Sequence, residues 1–248
     1  ERGSAVIADM PEIELGMIRQ QLIHMDPPRH SKLRSLVNRG FTPRMIRRMA
    51  LHVRGPAREI VDRLAGKSEC DFVTEIAAEL PLLVIAELLG VPREDRWKLF
   101  SWSNRLIGAE DPDYGTPVDA QVAVMELFQY GAWLAEQRRA DPREDIVSTL
   151  VHADVDGEAL GGVEFNMFFF LLVIAGNETT RNAISGGMQA LFEHPAERAK
   201  LAARPELLET AVDEFVRWVS PVMQFRRTAT RDLELGGQKI RENDKVVM

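Results

Sequence analysis

Residues 162–192 read GVEFNMFFFLLVIAGNETTRNAISGGMQALF, a longer and more apolar helical pattern than any other in the sequence. Every side chain from residue 167 to residue 175 is apolar, and a helix that is apolar on all faces lies at the centre of a large domain. The run is about half as long as a bilayer requires, which indicates a buried core element and no membrane span. The sequence therefore predicts a long central helix around which the other elements pack.

The hexapeptide AGNETT, residues 175–180, directly follows the most apolar turn of this helix. Gly, Asn and Thr are weak helix formers, and a Thr hydroxyl that bonds to the carbonyl four residues back bends a helix and opens a groove. Glu178 and Thr179 would then lie in an apolar interior, which is costly unless they are used or solvated. The alternative is a helix whose polar face reaches solvent after residue 176, and the periodicity leaves both readings open.

Helical periodicity extends over most of the remaining chain, interrupted by proline and glycine. Helices are expected at residues 28–40, 42–65, 71–89, 92–107, 117–139, 143–152 and 206–219, with a short one after Pro195. Residues 226–248 alternate between apolar and polar side chains and contain turn signals, which predicts short strands. No linker divides the chain, so we expect one mainly α domain, residues 1–248, with a small β region near its C-terminal end.

The composition excludes several kinds of functional site. The chain has 248 residues, of which 45% are hydrophobic and 28% charged, enough to bury a core and a cofactor. Its one cysteine, Cys70, excludes an internal disulfide and a cysteine-rich metal site, so a cytoplasmic location is expected. The five histidines lack zinc-hydrolase spacing, and the N-terminus lacks the pattern of a secretory signal. A metal site built from protein ligands alone is therefore not expected.

Glu214 and Arg217 are three residues apart in AVDEFVRWVSP, a spacing that allows an ion pair on one helix face. Their apolar neighbours predict that the pair is largely buried, where loss of one partner would leave an uncompensated charge. The same spacing recurs at Glu136 and Arg139 and at Glu178 and Arg181, which we interpret as ordinary or incidental pairs.

A basic segment extends from residue 29 to residue 58, and residues 27–58 contain no acidic side chain although the whole chain has a net charge of -7. His30 and Arg34 are four residues apart, so together they could bind one carboxylate or phosphate. One alternative is a solvated basic helix. Another is a helical module that binds an anionic partner through this segment. Nucleic acid is not expected, because no aromatic stripe accompanies the charges.

Taken in order, four segments resemble the motifs of bacterial cytochromes P450. MDPPRHSKLRSLVNRGFTPR resembles the family's D-P-P-x-H-x-x-x-R segment, AGNETT its A-G-x-[DE]-T-T motif, and DEFVR its E-x-x-R helix. FRRTATRDLELGGQKIRENDKVV resembles the strand and hairpin that follow that helix. The resemblance runs from about His24 onward and is greatest to actinobacterial members that oxidise steroid side chains and branched lipids.

The resemblance implies haem b as the cofactor of a monooxygenase that inserts one oxygen atom from O2 into a C–H bond of a hydrophobic substrate. By the same resemblance, His30, Arg34 and Arg227 would hold the haem propionates. Ala175 and Gly176 would let the central helix approach the porphyrin, since neither carries bulk.

Further roles follow from the same resemblance. Thr179 would hydrogen-bond dioxygen, and Glu178 with ordered water would relay protons. Retention of both residues favours monooxygenation over isomerase or peroxygenase chemistry. Glu214 and Arg217 would be structural. The expected wall of the substrate pocket consists of Leu171, Ile174, Ala175, Val222 and Met223.

The implied partners are O2, a ferredoxin and an NAD(P)H-dependent ferredoxin reductase, with an acidic ferredoxin docking on the basic surface at residues 39–48. The family's cysteine ligand to the haem iron is expected beyond Met248, and Cys70 is expected to be remote from it. Because the chain begins with Glu and stops in a strand-like run, we expect an internal fragment, incomplete at both ends. Such a fragment would lack the N-terminal sheet and the thiolate and would be inactive alone.

Overall fold

The computed structural model describes residues 5, 9, 12–107, 116–155 and 158–248. Helices account for most of them, which confirms the mainly α prediction. The α-helices are α1 Glu12–Ile18, α2 Arg29–Gly40, α3 Pro43–Asp62, α4 Glu79–Leu88, α5 Arg96–Ile107, α6 Pro117–Ala140, α7 Ile146–Val151, α8 Gly162–Glu193, α9 Pro195–Ala203 and α10 Leu208–Val219. Shorter turns are the 3-10 turns Leu22–His24, Arg93–Asp95 and Pro205–Leu207 and the π turn Val73–Ala77.

The strands are short and pair in antiparallel two-stranded sheets. They are β1 Asp154–Val155, β2 Glu158–Ala159, β3 Arg226–Thr228, β4 Leu233–Leu235, β5 Gln238–Ile240 and β6 Lys245–Val247. In the described part of the chain β1 pairs with β2, β3 with β6, and β4 with β5. The expected β region near the C-terminal end is therefore confirmed.

Helix α8 is the central element, as its sequence predicts. It packs against α4, α6 and α10. Phe165, Phe169 and Val173 follow one another at four-residue spacing and are at most 2% exposed, so they form the inward stripe. The surrounding core is supplied mainly by Leu, Ile and Val of α4 to α7. Within the described residues, none of the helices combines the length and the apolar character needed to cross a membrane.

Capping side chains explain several helix starts. The Thr42 hydroxyl accepts the Met45 N–H at the start of α3, and Thr116 and Asp119 form a reciprocal capping box at α6. Asp145 caps α7 by accepting the Ser148 N–H at 2.6 Å, so this helix is shorter than the predicted 143–152.

The predicted single helix at residues 71–89 is wrong in detail, because it is divided into the π turn and α4. Pro81 has no N–H and cannot donate to the carbonyl of Ala77, so the regular ladder is interrupted there. Instead the Ala78 N–H donates to the Val73 carbonyl at 2.9 Å, five residues back. The helix resumes at Glu79.

Candidate functional site

The AGNETT segment lies in the second half of α8 without interrupting the helix. The Thr179 hydroxyl donates to the carbonyl of Ala175 at 2.7 Å, which is the back-bond that its position predicts. The Thr179 oxygen keeps its capacity to accept a hydrogen bond from another group. Ala175 is exposed and Thr179 is half-buried, so this face of the helix is open to a ligand.

Glu178 is half-buried and both of its carboxylate oxygens are bound within the helix. Arg181 Nη2 donates to Oε2 at 2.5 Å, and Asn182 Nδ2 donates to Oε1 at 3.0 Å. The spacing of Glu178 and Arg181 thus corresponds to an ordinary i,i+3 ion pair within the helix, one of the two alternatives expected for it. The i,i+3 and i,i+4 spacing was the available signal for both partners.

The two readings of AGNETT each describe part of the structure. Asn177 is 1% exposed, and its Oδ1 has no hydrogen-bond partner among the described residues, so the inward face continues past residue 176. Ala175 lies on the other side of the helix from Asn177 and is exposed, so that face reaches solvent. A polar helix segment with one buried and one open face can support both packing and ligand contact.

Gly176 faces another helix, which the sequence did not indicate. A Cβ added at Gly176 would lie 2.3 Å from Cδ1 and 2.8 Å from Cγ1 of Ile85 on α4. The missing side chain therefore makes room for Ile85 in the core. The expected role of Gly176 at a porphyrin stays a prediction, whereas the exposed Ala175 leaves its own face free.

The basic residues proposed for propionate binding lie on two elements. His30 is half-buried and Arg34 is exposed on α2, and Arg227 is exposed on β3. The Arg227 guanidinium donates to the Arg226 carbonyl at 2.9 Å and lies 5.9 Å from the Phe225 ring centroid. Within the described part of the chain, none of the three binds a carboxylate.

His24 connects these two elements and was not predicted as a site residue. Its Nδ1 accepts the Ala5 N–H at 2.9 Å, and the Arg226 N–H donates to the Ala5 carbonyl at 2.9 Å. Burial, with a smaller contribution from the nearby Arg227 charge, lowers the pKa of His24. Arg227 is thus close to the segment that leads into α2.

The donor set fits an anionic cofactor edge. Two guanidinium groups and an imidazole, which have no carboxylate partners among the described residues, can form charge-assisted hydrogen bonds to propionates. Cys70 is exposed between α3 and the π turn, and its expected distance from the haem iron stays a prediction. Within the described residues, no cluster of His, Cys, Asp and Glu could bind a metal ion.

The prediction that Glu214 and Arg217 are buried is wrong. Arg217 Nη2 and Nε donate to the two Glu214 oxygens at 2.6 and 2.7 Å, but the side chains are 57% and 65% exposed for Glu214 and Arg217, respectively. The inward face of α10 instead carries Phe215 and Val219, which contact Gly187 and Gly186 of α8. Hydrophobic neighbours on both sides of the pair suggested burial, yet Val216 is itself 50% exposed.

The residues expected in the wall of the substrate pocket also differ in exposure. Leu171 and Ile174 are half-buried on α8, whereas Val222 and Met223 are exposed after α10, Met223 by 84%. Among the described residues Met223 therefore lines no enclosed cavity. Leu171, Ala175 and Thr179 do share one helix face, because they are spaced by four residues.

Not all of the basic segment is available to a partner. Arg29 Nη2 donates to Glu164 Oε1 at 3.1 Å and thereby ties α2 to the start of α8. Arg34, Arg47 and Arg54 are exposed. The side chains of Arg39, Arg44 and Arg48, which belong to the expected ferredoxin surface, lie outside the described part of the structure.

Comparison with known proteins identifies the relatives of this chain. No family model matches the chain. It is 48% identical over 240 residues to a steroid C26-monooxygenase of Rhodococcus jostii, covering 97% of the chain and 50% of that protein. It is 42% identical over 238 residues to a methyl-branched lipid omega-hydroxylase of Mycobacterium tuberculosis, covering 94% of the chain and 56% of that protein.

The fold agrees with the sequence comparison. A Mycobacterium marinum cytochrome P450 in complex with pseudoionone matches with a TM-score of 0.90 and 43% identity, covering 98% of this chain and 60% of that one. The chain thus spans about half the length of the curated relatives that it matches. Since the match extends over nearly every residue and includes the AGNETT helix and the Glu214 and Arg217 pair, the chain belongs to the cytochrome P450 family.

Proposed function

We propose that the chain is part of a haem-dependent monooxygenase that inserts one oxygen atom from O2 into a C–H bond of a steroid side chain or a branched lipid. The main support for this proposal is the open face of α8. Ala175 is exposed there, and the Thr179 hydroxyl donates a hydrogen bond to the Ala175 carbonyl. The named activities of the two curated relatives support the substrate class.

Haem, when bound, supplies the oxidation chemistry. His30 and Arg34 on α2 and Arg227 on β3 would hold its carboxylates by charge-assisted hydrogen bonds, and Ala175 would allow close approach. Cysteine-thiolate ligation of the iron would come from a residue other than the exposed Cys70.

In this proposal Thr179 and Glu178 control proton transfer. The Thr179 oxygen can accept a hydrogen bond while its own O–H donates to the Ala175 carbonyl. Each Glu178 oxygen accepts one bond from Arg181 or Asn182 and keeps a further lone-pair site for an ordered water. Glu178 can therefore exchange a proton through water without leaving these partners.

Apolar side chains support a hydrophobic substrate, and the basic segment supports an acidic redox partner. Leu171 and Ile174 on α8, with Val222 and Met223 after α10, would supply apolar contacts for a hydrocarbon substrate. An acidic ferredoxin, reduced by an NAD(P)H-dependent reductase, would dock on residues 39–48, and its association would weaken with salt.

The test is a chimera in which this chain replaces the matching 240 residues of the Rhodococcus jostii steroid C26-monooxygenase. We expect the chimera to bind haem and to oxidise the steroid. Thr179→Ala should lower product formation and raise hydrogen peroxide release for the same NAD(P)H consumption. Loss of proton control at one hydroxyl typically costs tenfold or more in coupled turnover.

Thr180→Ala is the matched control, because Thr180 is the adjacent and exposed hydroxyl. It should leave the ratio of product to peroxide unchanged. A chimera that folds and binds haem but oxidises no steroid or branched lipid would contradict the substrate class. If Thr179→Ala and Thr180→Ala gave the same ratio of product to hydrogen peroxide, the proposed role of Thr179 would be contradicted.

A further inference from the structure

A cleft of about 350 Å³ lies between α3, the turn that leads into α5, and the start of α7. Four arginines line it, namely Arg93, Arg96, Arg138 and Arg143. None of them belongs to the motifs considered above. A concave site with several guanidinium groups favours an anionic ligand.

The acidic side chains of the cleft are already engaged. Asp145 is 5% exposed and accepts a bond from Arg138 Nε at 2.5 Å, while Arg138 Nη2 donates to the Gly90 carbonyl. Glu87 pairs with His52 Nδ1. Glu144 also has a partner. Among the described side chains, Arg93 and Arg96 therefore remain as cations that no acidic group of the cleft neutralises.

Arg96 gives an independent sign of a missing acceptor. Its Nε is buried and has no hydrogen-bond partner within the described residues. A buried donor that makes no hydrogen bond is costly, and more so when it belongs to a charged group. An acceptor bound in the cleft would remove this cost.

The start of α5 adds to the positive potential. Pro92 and Arg93, which begin the turn into this 12-residue helix, also line the cleft. The amino end of a helix carries a partial positive charge, which favours an anion nearby. Backbone and side chains therefore act in the same direction.

We propose that this cleft binds a small phosphoryl dianion, either inorganic phosphate or a small phosphate monoester, with Arg96 as the principal contact and Arg93 and Arg143 at its rim. Arg143 is available to contribute because its side chain is 59% exposed and binds only the equally open Asp141 among the described residues. Two unneutralised guanidinium groups match a double negative charge, and planar guanidinium forks fit phosphate oxygens. The cleft volume leaves room for a few heavy atoms beyond the phosphoryl group.

The chain itself, without haem, should be titrated with inorganic phosphate and with glycerol 3-phosphate at constant ionic strength set by NaCl, using calorimetry and the thermal midpoint. We expect saturable one-site binding of at least one of them. Binding of both would indicate that the phosphoryl group is the common determinant, and binding of glycerol 3-phosphate alone would point to the monoester.

Arg96→Gln should weaken binding at least tenfold and Arg93→Gln less. Arg231→Gln, which removes an exposed charge outside the cleft, should leave binding unchanged. Because Arg96 Nε has no partner, Arg96→Gln should keep the thermal midpoint measured without phosphate. Absence of saturable binding by the wild-type chain, or equal binding by Arg96→Gln and Arg231→Gln, would overturn the proposal. If Arg96→Gln fails to fold, the same comparison applies to Arg93→Gln.

Discussion

Gly176 makes one close contact that a side chain would destroy. A Cβ there would lie 2.3 Å from Ile85 Cδ1, far inside normal contact distance. Gly176→Ala should therefore lower the free energy of unfolding by about 1–3 kcal/mol through overpacking, after a gain of at most about 1 kcal/mol from helix propensity. Urea denaturation of the chain, followed by circular dichroism, measures this change.

Gly162→Ala provides the comparison on the same helix, because a Cβ at Gly162 would meet nothing within 4 Å. It should be neutral or slightly stabilising. Combining Gly176→Ala with Ile85→Val should cost less than the sum of the single changes, since Val lacks the closest atom. A Gly176→Ala variant as stable as Gly162→Ala would show that α4 and α8 are not in tight contact at this point.

Single residues were predictable from sequence where the interaction is local. The bond from Thr179 to Ala175 follows from helix geometry, as do the pairs of Glu178 with Arg181 and Glu214 with Arg217. Exposure of Glu214 and the contact of Gly176 with Ile85 depend on which helices pack together, and no local pattern encodes that.

Helix α3 contains a glycine directly before a proline. At Gly55 a Cβ would meet nothing within 4 Å beyond its chain neighbours, but Pro56 follows it inside the helix. In helical conformation a Cβ before a proline clashes with the proline Cδ, which offsets the gain in helix propensity. Gly55→Ala should therefore change the free energy of unfolding by less than about 0.5 kcal/mol, which thermal or urea denaturation measures.

Gly66, just after α3, is the comparison at a positive φ. It also has open space around it, but its φ is +85°. Gly66→Ala should destabilise the chain by about 1 kcal/mol, since a Cβ disfavours this region of backbone space. Equal effects of the two alanines would contradict the assignment of Gly55 to a helix.

Helices were predicted best where the sequence contains a capping residue or a long apolar run. Thr42 followed by Pro43 marked the start of α3, and the apolar run marked α8. The prediction of one helix at residues 71–89 missed the π turn, which forms where Pro81 removes a backbone donor. Helix α7 is shorter than predicted because Asp145 caps its start. Helix propensity alone did not identify Asp145, and not an earlier residue, as the N-cap.

The molecule as a whole shows why the site was only partly predictable. Motif order indicated the family, and a TM-score of 0.90 to a solved cytochrome P450 confirms the fold. That the chain is one partial domain stays a prediction. The proximity of β3 to the segment before α2 joins residues that are about 200 positions apart in the sequence. Such long-range pairing follows from tertiary packing, so the position of Arg227 near His24 could not be read from local patterns.

His24 makes this long-range junction sensitive to pH. Its Nδ1 accepts the Ala5 N–H, and the Ala5 carbonyl accepts the Arg226 N–H of β3. Burial first, and then the Arg227 charge, lower the pKa of His24 from its ordinary value of 6.5. Folding therefore favours the neutral imidazole, because protonation would remove the acceptor and place a second cation near Arg227.

The free energy of unfolding should consequently keep the full His24 contribution above about pH 6.5, the unfolded pKa, and lose it as the pH falls towards the lower folded pKa. His24→Asn, which retains an acceptor but does not titrate, should reduce the fall in stability between pH 7 and pH 5. His30→Asn, on α2, should leave this pH dependence in place. Urea denaturation of the three chains at each pH measures the difference. If His24→Asn loses as much stability on acidification as the wild type, His24 is not the group that couples pH to the junction of β3 with the N-terminal segment.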